Sequence, residues 1–194
     1  MRITVVVAAV IVLLLLTADP ALGGIVIDTR PGSGTENIDT SIWVGQTFTA
    51  AGPELTLFGF KLTDTGADDL VVSGAVYGTV LGVPTGVPLY VGAPMAIGAT
   101  GTYSFTPGIG LTVGNIYGIA PQVLFGAGAI WGTSPSIYSG GSTTNTANAG
   151  VNWFLAPAPD TAVLIEMTPE PASILLFGLG LAVSALVVRR RSRS

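Results

Sequence analysis

The sequence predicts an all-β domain, an antiparallel β-sandwich, carried between two hydrophobic ends. Three observations predict it. Between the ends, apolar residues alternate with Thr, Ser and Gly over short stretches, the period-two pattern of half-buried strands. Turn formers punctuate those stretches, 27 Gly and 13 Pro in 194 residues, and helical periodicity is hard to find. The hydrophobic residues, 49% of the chain, concentrate at the two ends, so the middle reads as one ordinary domain beside processing segments.

The first element is a secretory signal peptide over residues 1–23. Arg2 supplies the positive start, Ile3 to Leu16 are apolar apart from Thr4, and small Ala21 and Gly23 suit the positions before a cut after Gly23. A cut after Ala18 is the rival, but it places Leu16 where a small residue is wanted. The apolar core is too short for a comfortable membrane span of about 20 residues.

The domain then spans residues 24–167. Its expected strands are Ile25–Asp28, Ile42–Ala50, Leu55–Thr63, Asp69–Thr79, Pro88–Val91, Gly101–Thr106, Ile116–Val123, Ala129–Gly132, Val151–Leu155 and Ala162–Met167. In the third, Phe58, Phe60 and Leu62 point one way and Leu57, Gly59, Lys61 and Thr63 the other; Tyr103 and Phe105 likewise oppose Thr102, Ser104 and Thr106. Two such sheets face to face bury their inner rows and leave Thr/Ser rows outside. From Val83 to Gly98 the breakers Pro84, Gly86, Pro88, Gly92, Pro94 and Gly98 exclude a central strand and predict a looped connection or ragged edge. The small, polar stretch Ser139 to Gly150 is expected to be an exposed loop.

The last element covers residues 168–194. Pro169-Glu170-Pro171 bars any helix from continuing upstream; residues 172–188 are apolar except Ser173 and Ser184, and a helix over them extends about 25 Å, slightly short of an average hydrocarbon core, so it is expected to span with little tilt. Arg189, Arg190, Arg191 and Arg193 follow as a basic stop that stays cytoplasmic, leaving the domain outside, as the amino-terminal signal independently requires.

Composition excludes several function classes. In the middle, nine acids (Asp28, Glu36, Asp39, Glu54, Asp64, Asp68, Asp69, Asp160 and Glu166) face two bases, Arg30 and Lys61, a net charge of −7 that argues against nucleic-acid binding. With no cysteine there is neither a disulfide framework nor a thiolate metal site; with no histidine, the commonest general base and metal ligand are missing. No cofactor is expected, and no Ser-His-Asp arrangement can form.

Pro169-Glu170-Pro171-Ala172-Ser173, Gly178-Leu179-Gly180-Leu181-Ala182 and Arg189-Arg190-Arg191 together resemble the tripartite PEP-CTERM sorting signal of Gram-negative bacteria. That resemblance implies recognition by an exosortase, a membrane cysteine transpeptidase, cleavage near the Pro-Glu-Pro box, and delivery to the cell surface or extracellular matrix alongside exopolysaccharide and biofilm production. A sortase box of the Leu-Pro-x-Thr-Gly kind is missing, and a GPI signal would not end in arginines. In the middle, Gln46-Thr47-Phe48-Thr49-Ala50, Phe58-Gly59-Phe60-Lys61-Leu62, Gly86-Val87-Pro88-Leu89, Tyr103-Ser104-Phe105 and Leu111 to Tyr117 resemble the jelly-roll-like sandwiches of bacterial surface proteins of the choice-of-anchor type. Tyr138-Ser139-Gly140-Gly141 and Val151-Asn152-Trp153-Phe154 follow in the order that resemblance implies.

Candidate sites are sparse. Trp43, Trp131, Trp153 and Tyr138 are candidate sugar-binding aromatics, though such residues in sandwiches more often pack. Asp64, Asp68 and Asp69 form an acidic turn that offers oxygen to calcium without EF-hand spacing. Glu54 and Glu166 lead the only pool of carboxylates for acid–base chemistry, with nothing in the sequence to pair them. The expectation is therefore a non-catalytic structural or adhesive surface component, with a carbohydrate-binding module second and a polysaccharide-acting enzyme third.

Overall fold

The computed structural model describes residues 25–30, 34–132, 138–156 and 160–169. The signal peptide, the apolar run 172–188 and the basic stop lie outside them. Among the described residues no helix is long and apolar enough to cross a membrane.

Every element described is a strand: β1 (Ile25–Asp28), β2 (Gly34–Asp39), β3 (Trp43–Thr49), β4 (Glu54–Asp64), β5 (Leu70–Val80), β6 (Val83–Pro84), β7 (Tyr90–Val91), β8 (Met95–Ile97), β9 (Gly101–Phe105), β10 (Ile109–Gly110), β11 (Ile116–Phe125), β12 (Ala127–Gly132), β13 (Thr143–Thr146), β14 (Phe154–Leu155) and β15 (Val163–Thr168). All pairings are antiparallel. In the first sheet β4 is the axis: one side pairs with β15 and, further along, with β12, and the other side pairs with β10 and β9. β1 covers the outer side of β15 and β2 that of β12. The second sheet runs β14-β13-β3-β11-β5, with β8, β7 and β6 following one another along the far side of β5.

Alternation determines the shared core. Phe58, Phe60 and Leu62 of β4, with Val163, Ile165 and Met167 of β15, pack against Phe48, Val72, Val76, Ile119 and Val123 of the second sheet. The inward set Phe58, Phe60 and Leu62 is the one the period predicts. Leu55 is also fully buried although it stands three residues before Phe58, because the β4–β15 register shifts between Glu166 and Met167. Leu57 pairs with Glu166 and Leu55 with Met167, leaving Thr56 as the extra residue of a bulge that lets Leu55 and Phe58 both face the core while Leu57 stays on the outer face. The Phe58 ring stacks on Phe105 at 5.3 Å and meets Phe60 edge-on at 5.8 Å.

The second sheet departs from the expected pattern. It curls until β6 lies against β14, so that it is nearly closed, like a barrel. Pro84 of β6 sits over Gly118 of β11, where a Cβ would come within 2.7 Å of the proline ring. Inside the curl Ala75, Tyr77 and Ala120 form a second buried cluster, covered by Trp153. Thr47, Ser73, Thr144 and Thr146 are consequently buried, correcting the expectation that the Thr/Ser rows lie outside. Alternation reports that a strand has two faces; whether the second is wet depends on curvature, and small residues at Gly45, Ala75, Gly118 and Ala120 permit this one.

Two segments are corrected. Ser139 to Gly150 is not an exposed loop throughout: Thr143–Thr146 form β13, pairing with β3 and β14, and the strand expected over Val151–Leu155 shortens to Phe154–Leu155. The strand β2 was not expected, because Gly34-Thr35-Glu36-Asn37 looks like turn sequence and gains its place from pairing with β12. The breaker-rich stretch after Val83 does form a ragged edge, three short pieces along β5.

Candidate functional site

The chemistry the sequence points to begins where β15 ends. Met167 is buried, and Thr168 pairs with Glu54 at the start of β4. The turn before β4 closes onto this end: a Cβ on Gly52 would meet the Thr168 carbonyl at 1.9 Å, so only glycine permits the approach. Pro169 then has no N–H to continue the ladder, and the chain must leave the sheet. On the other side of β15, Ile25 pairs with Met167 and Asp28 with Leu164. The first strand of the domain and its last are neighbours, and both free ends point out of the same end of the sandwich.

The segment that starts at this strand end carries a known signature. Residues 168–191 match the PEP-CTERM protein-sorting motif. Its presence implies an exported protein processed by an exosortase and sorted to the cell surface. The motif begins on the last residue of β15, so the folded domain is joined to its sorting signal without a linker. Of the matched residues, Thr168 and Pro169 are described; Glu170, Pro171, Arg189, Arg190 and Arg191 lie outside the described residues, as does Arg193 beyond the match. No curated protein matches this sequence.

The four candidate aromatics do not form one surface. Trp43 is buried, 6.5 Å from Trp153, which stands 5.3 Å from Tyr77. Those three rings belong to the curl of the second sheet, and the Tyr77 hydroxyl accepts a hydrogen bond from Gln122 Nε2 at 2.8 Å. Trp131 is on the first sheet, half-buried, with Lys61 Nζ 3.9 Å from its ring centre in a cation–π contact. Tyr138 is tied down separately. Its hydroxyl accepts from Thr49 N–H, its N–H donates to Asp160 Oδ2 at 2.7 Å, and burial pushes its phenol pKa upward.

Glu54 and Glu166 are brought nearer than the sequence suggests: since Thr168 pairs with Glu54, the two are diagonal neighbours at the outer side of the first sheet. The acidic turn works structurally. Asp64 accepts from Gly66 N–H at 3.0 Å and from Leu70 N–H at 3.4 Å, and among the described residues no three carboxylates converge on a metal position. Asp28 is paired with Arg30, whose guanidinium holds its carboxyl below the usual range.

Sequence reasoning missed a buried polar bridge between the sheets. Gln46 of β3 is completely buried; its Oε1 accepts from Thr161 N–H at 2.9 Å and its Nε2 donates to Thr47 O at 3.2 Å and Asp160 Oδ1 at 3.4 Å. Thr161 Oγ1 donates to Gly45 O at 2.9 Å, and Thr29 Oγ1 donates to Thr161 O at 2.7 Å. This bridge fixes the entry to β15, and so the strand that carries the sorting signal.

Proposed function

We propose that the chain is an exosortase-sorted component of the cell surface or extracellular matrix, with a non-catalytic structural or adhesive role beside exopolysaccharide. The observation that carries this reading is the position of the sorting motif, which starts at the last paired residue of β15. A domain delivered this way acts through its folded surface. The resemblance of its middle to jelly-roll-like sandwiches of anchored bacterial surface proteins supports the same reading, as does a charge balance unsuited to nucleic acid.

The second reading, a carbohydrate-binding module, puts polysaccharide contact on the first sheet, where Trp131 and Lys61 stand together. The test is co-sedimentation of the secreted protein with matrix polysaccharide, comparing the native protein with Trp131→Ala. Retention in both supports a structural surface role; loss in the variant makes the protein a carbohydrate-binding module. Hydrolysis of the polysaccharide, abolished by Glu54→Gln, would overturn the non-catalytic reading.

A further inference from the structure

Four apolar side chains are exposed where the chain ends emerge: Val80 (61%), Leu81 (95%), Val113 (41%) and Ile116 (39%). Register places them there. Ile116 pairs with Thr49, the last residue of β3; the chain then passes through residues 50–53 into Glu54, and Glu54 pairs with Thr168. The turn holding Val113 is fastened to the same crossing, with Leu111 N–H on Pro53 O and Gly114 N–H on Ala50 O. Ile25, half-buried against the core, marks the same end opposite Met167.

Leu81 is the most exposed of these side chains and is also strained. Val80 pairs with Val83, so the hairpin turns over Leu81 and Gly82 with φ of 52° and 79°. Both values lie in the left-handed region, where asparagine and glycine are preferred and a leucine is disfavoured. A costly backbone thus holds a leucine in the open at the end where the domain meets its apolar segments.

The chain outside the described residues says what lies beyond. Ile174 follows Thr168 by six residues, so the apolar run begins no more than about 20 Å from the sheet end. We propose that this end of the sandwich seats on the lipid bilayer while the precursor is tethered. The Leu81 hairpin and the Val113 turn enter the headgroup boundary. The proposal rests on the reading of residues 172–188 as membrane-embedded. Near this end stand Glu54 and Glu166, and Arg30, within electrostatic reach of Glu166, is paired with Asp28; no net positive charge is left to draw anionic lipid, so the contact is apolar, forms on neutral lipid and is insensitive to salt.

The experiment uses the full precursor in phosphatidylcholine vesicles. Because the chain has no cysteine, single Cys substitutions at Leu81, Val113, Ala67 and Leu179 each take one environment-sensitive fluorophore. Ala67 is exposed at the opposite end, in the turn between β4 and β5, and serves as the water reference. The expected result is blue-shifted emission, quenched by nitroxide-labelled lipid, from Leu179, Leu81 and Val113, and neither effect at Ala67. Adding Leu81→Asp to the Val113→Cys protein should return that probe to water. A dry Leu179 with wet Leu81 and Val113 overturns the proposal and leaves the span intact. A wet Leu179 overturns the span and the proposal with it. Leu81 shielded without lipid quenching, and dependent on protein density, would mean a second copy covers the hairpin and also overturns it.

Discussion

Ile25 lies directly opposite Met167 across the β1–β15 pair. Their neighbours in sequence are the expected signal-peptide cut after Gly23 and the start of the sorting motif at Thr168. A domain that enters and leaves the export machinery at adjacent strand ends can be folded while both ends are held. β15 is also central in its sheet, between β4 and β1, so the first sheet is complete only when the last residues before the motif have crossed.

Replacing Gln46 with Leu should lower stability by about 1–3 kcal/mol, since the buried Thr161 N–H loses its acceptor. Urea unfolding checks this; an unchanged midpoint would mean that the bridge between the sheets contributes nothing.

Leu81→Asn should stabilise the fold by about 1 kcal/mol, because asparagine tolerates the left-handed backbone that leucine resists. The same variant should lose contact with lipid. Thermal unfolding and nitroxide-lipid quenching of a probe at Val113 in the vesicle-bound precursor, measured together, should show a higher midpoint and weaker quenching.

Gly45→Ala should destabilise by about 1–3 kcal/mol. Its Cβ would sit 2.3 Å from Ile119 O, a backbone atom that cannot swing away, and 2.9 Å from Ala120 Cβ. Gly34→Ala, with nothing within 4 Å, is the matched control and should shift the unfolding midpoint little.

Asp39 Oδ1 accepts from Ser41 N–H at 2.7 Å, Ser41 Oγ at 2.7 Å and Ile42 N–H at 2.8 Å, and these bonds hold its carboxyl pKa below the ordinary value. A folded pKa below the unfolded one gives stability that is present above the unfolded value and lost as pH falls through the folded one. Asp39→Asn should therefore be less stable at pH 7, with the difference from the native protein shrinking below about pH 4. Glu36 has the opposite sign, since burial raises its pKa and favours the neutral form in the fold.

Much of the fold was legible because β4 from Phe58 onward, β9 and β15 alternate and face one core. The bulge at Thr56 was not, since alternation from Leu55 and from Phe58 cannot both hold without the register of β15. β13 was hidden because Thr143-Thr144-Asn145-Thr146 has no apolar residue, and burial inside a curled sheet leaves no hydrophobic signature. At the site, the Pro-Glu-Pro box, apolar run and arginines were readable as a string. The pairing of Ile25 with Met167, and the gathering of Leu81 and Val113 beside them, required the topology.

The mass of the surface-delivered protein is the most direct test of exosortase processing. Intact mass spectrometry should find both ends removed, with the amino terminus at Gly24 and the carboxyl terminus near Pro169-Glu170-Pro171, and should find the Glu170 variant or the chain lacking Arg189 to Ser194 retained unprocessed. A surface product that still carries Arg189 to Ser194, or processing unchanged in both variants, would contradict it.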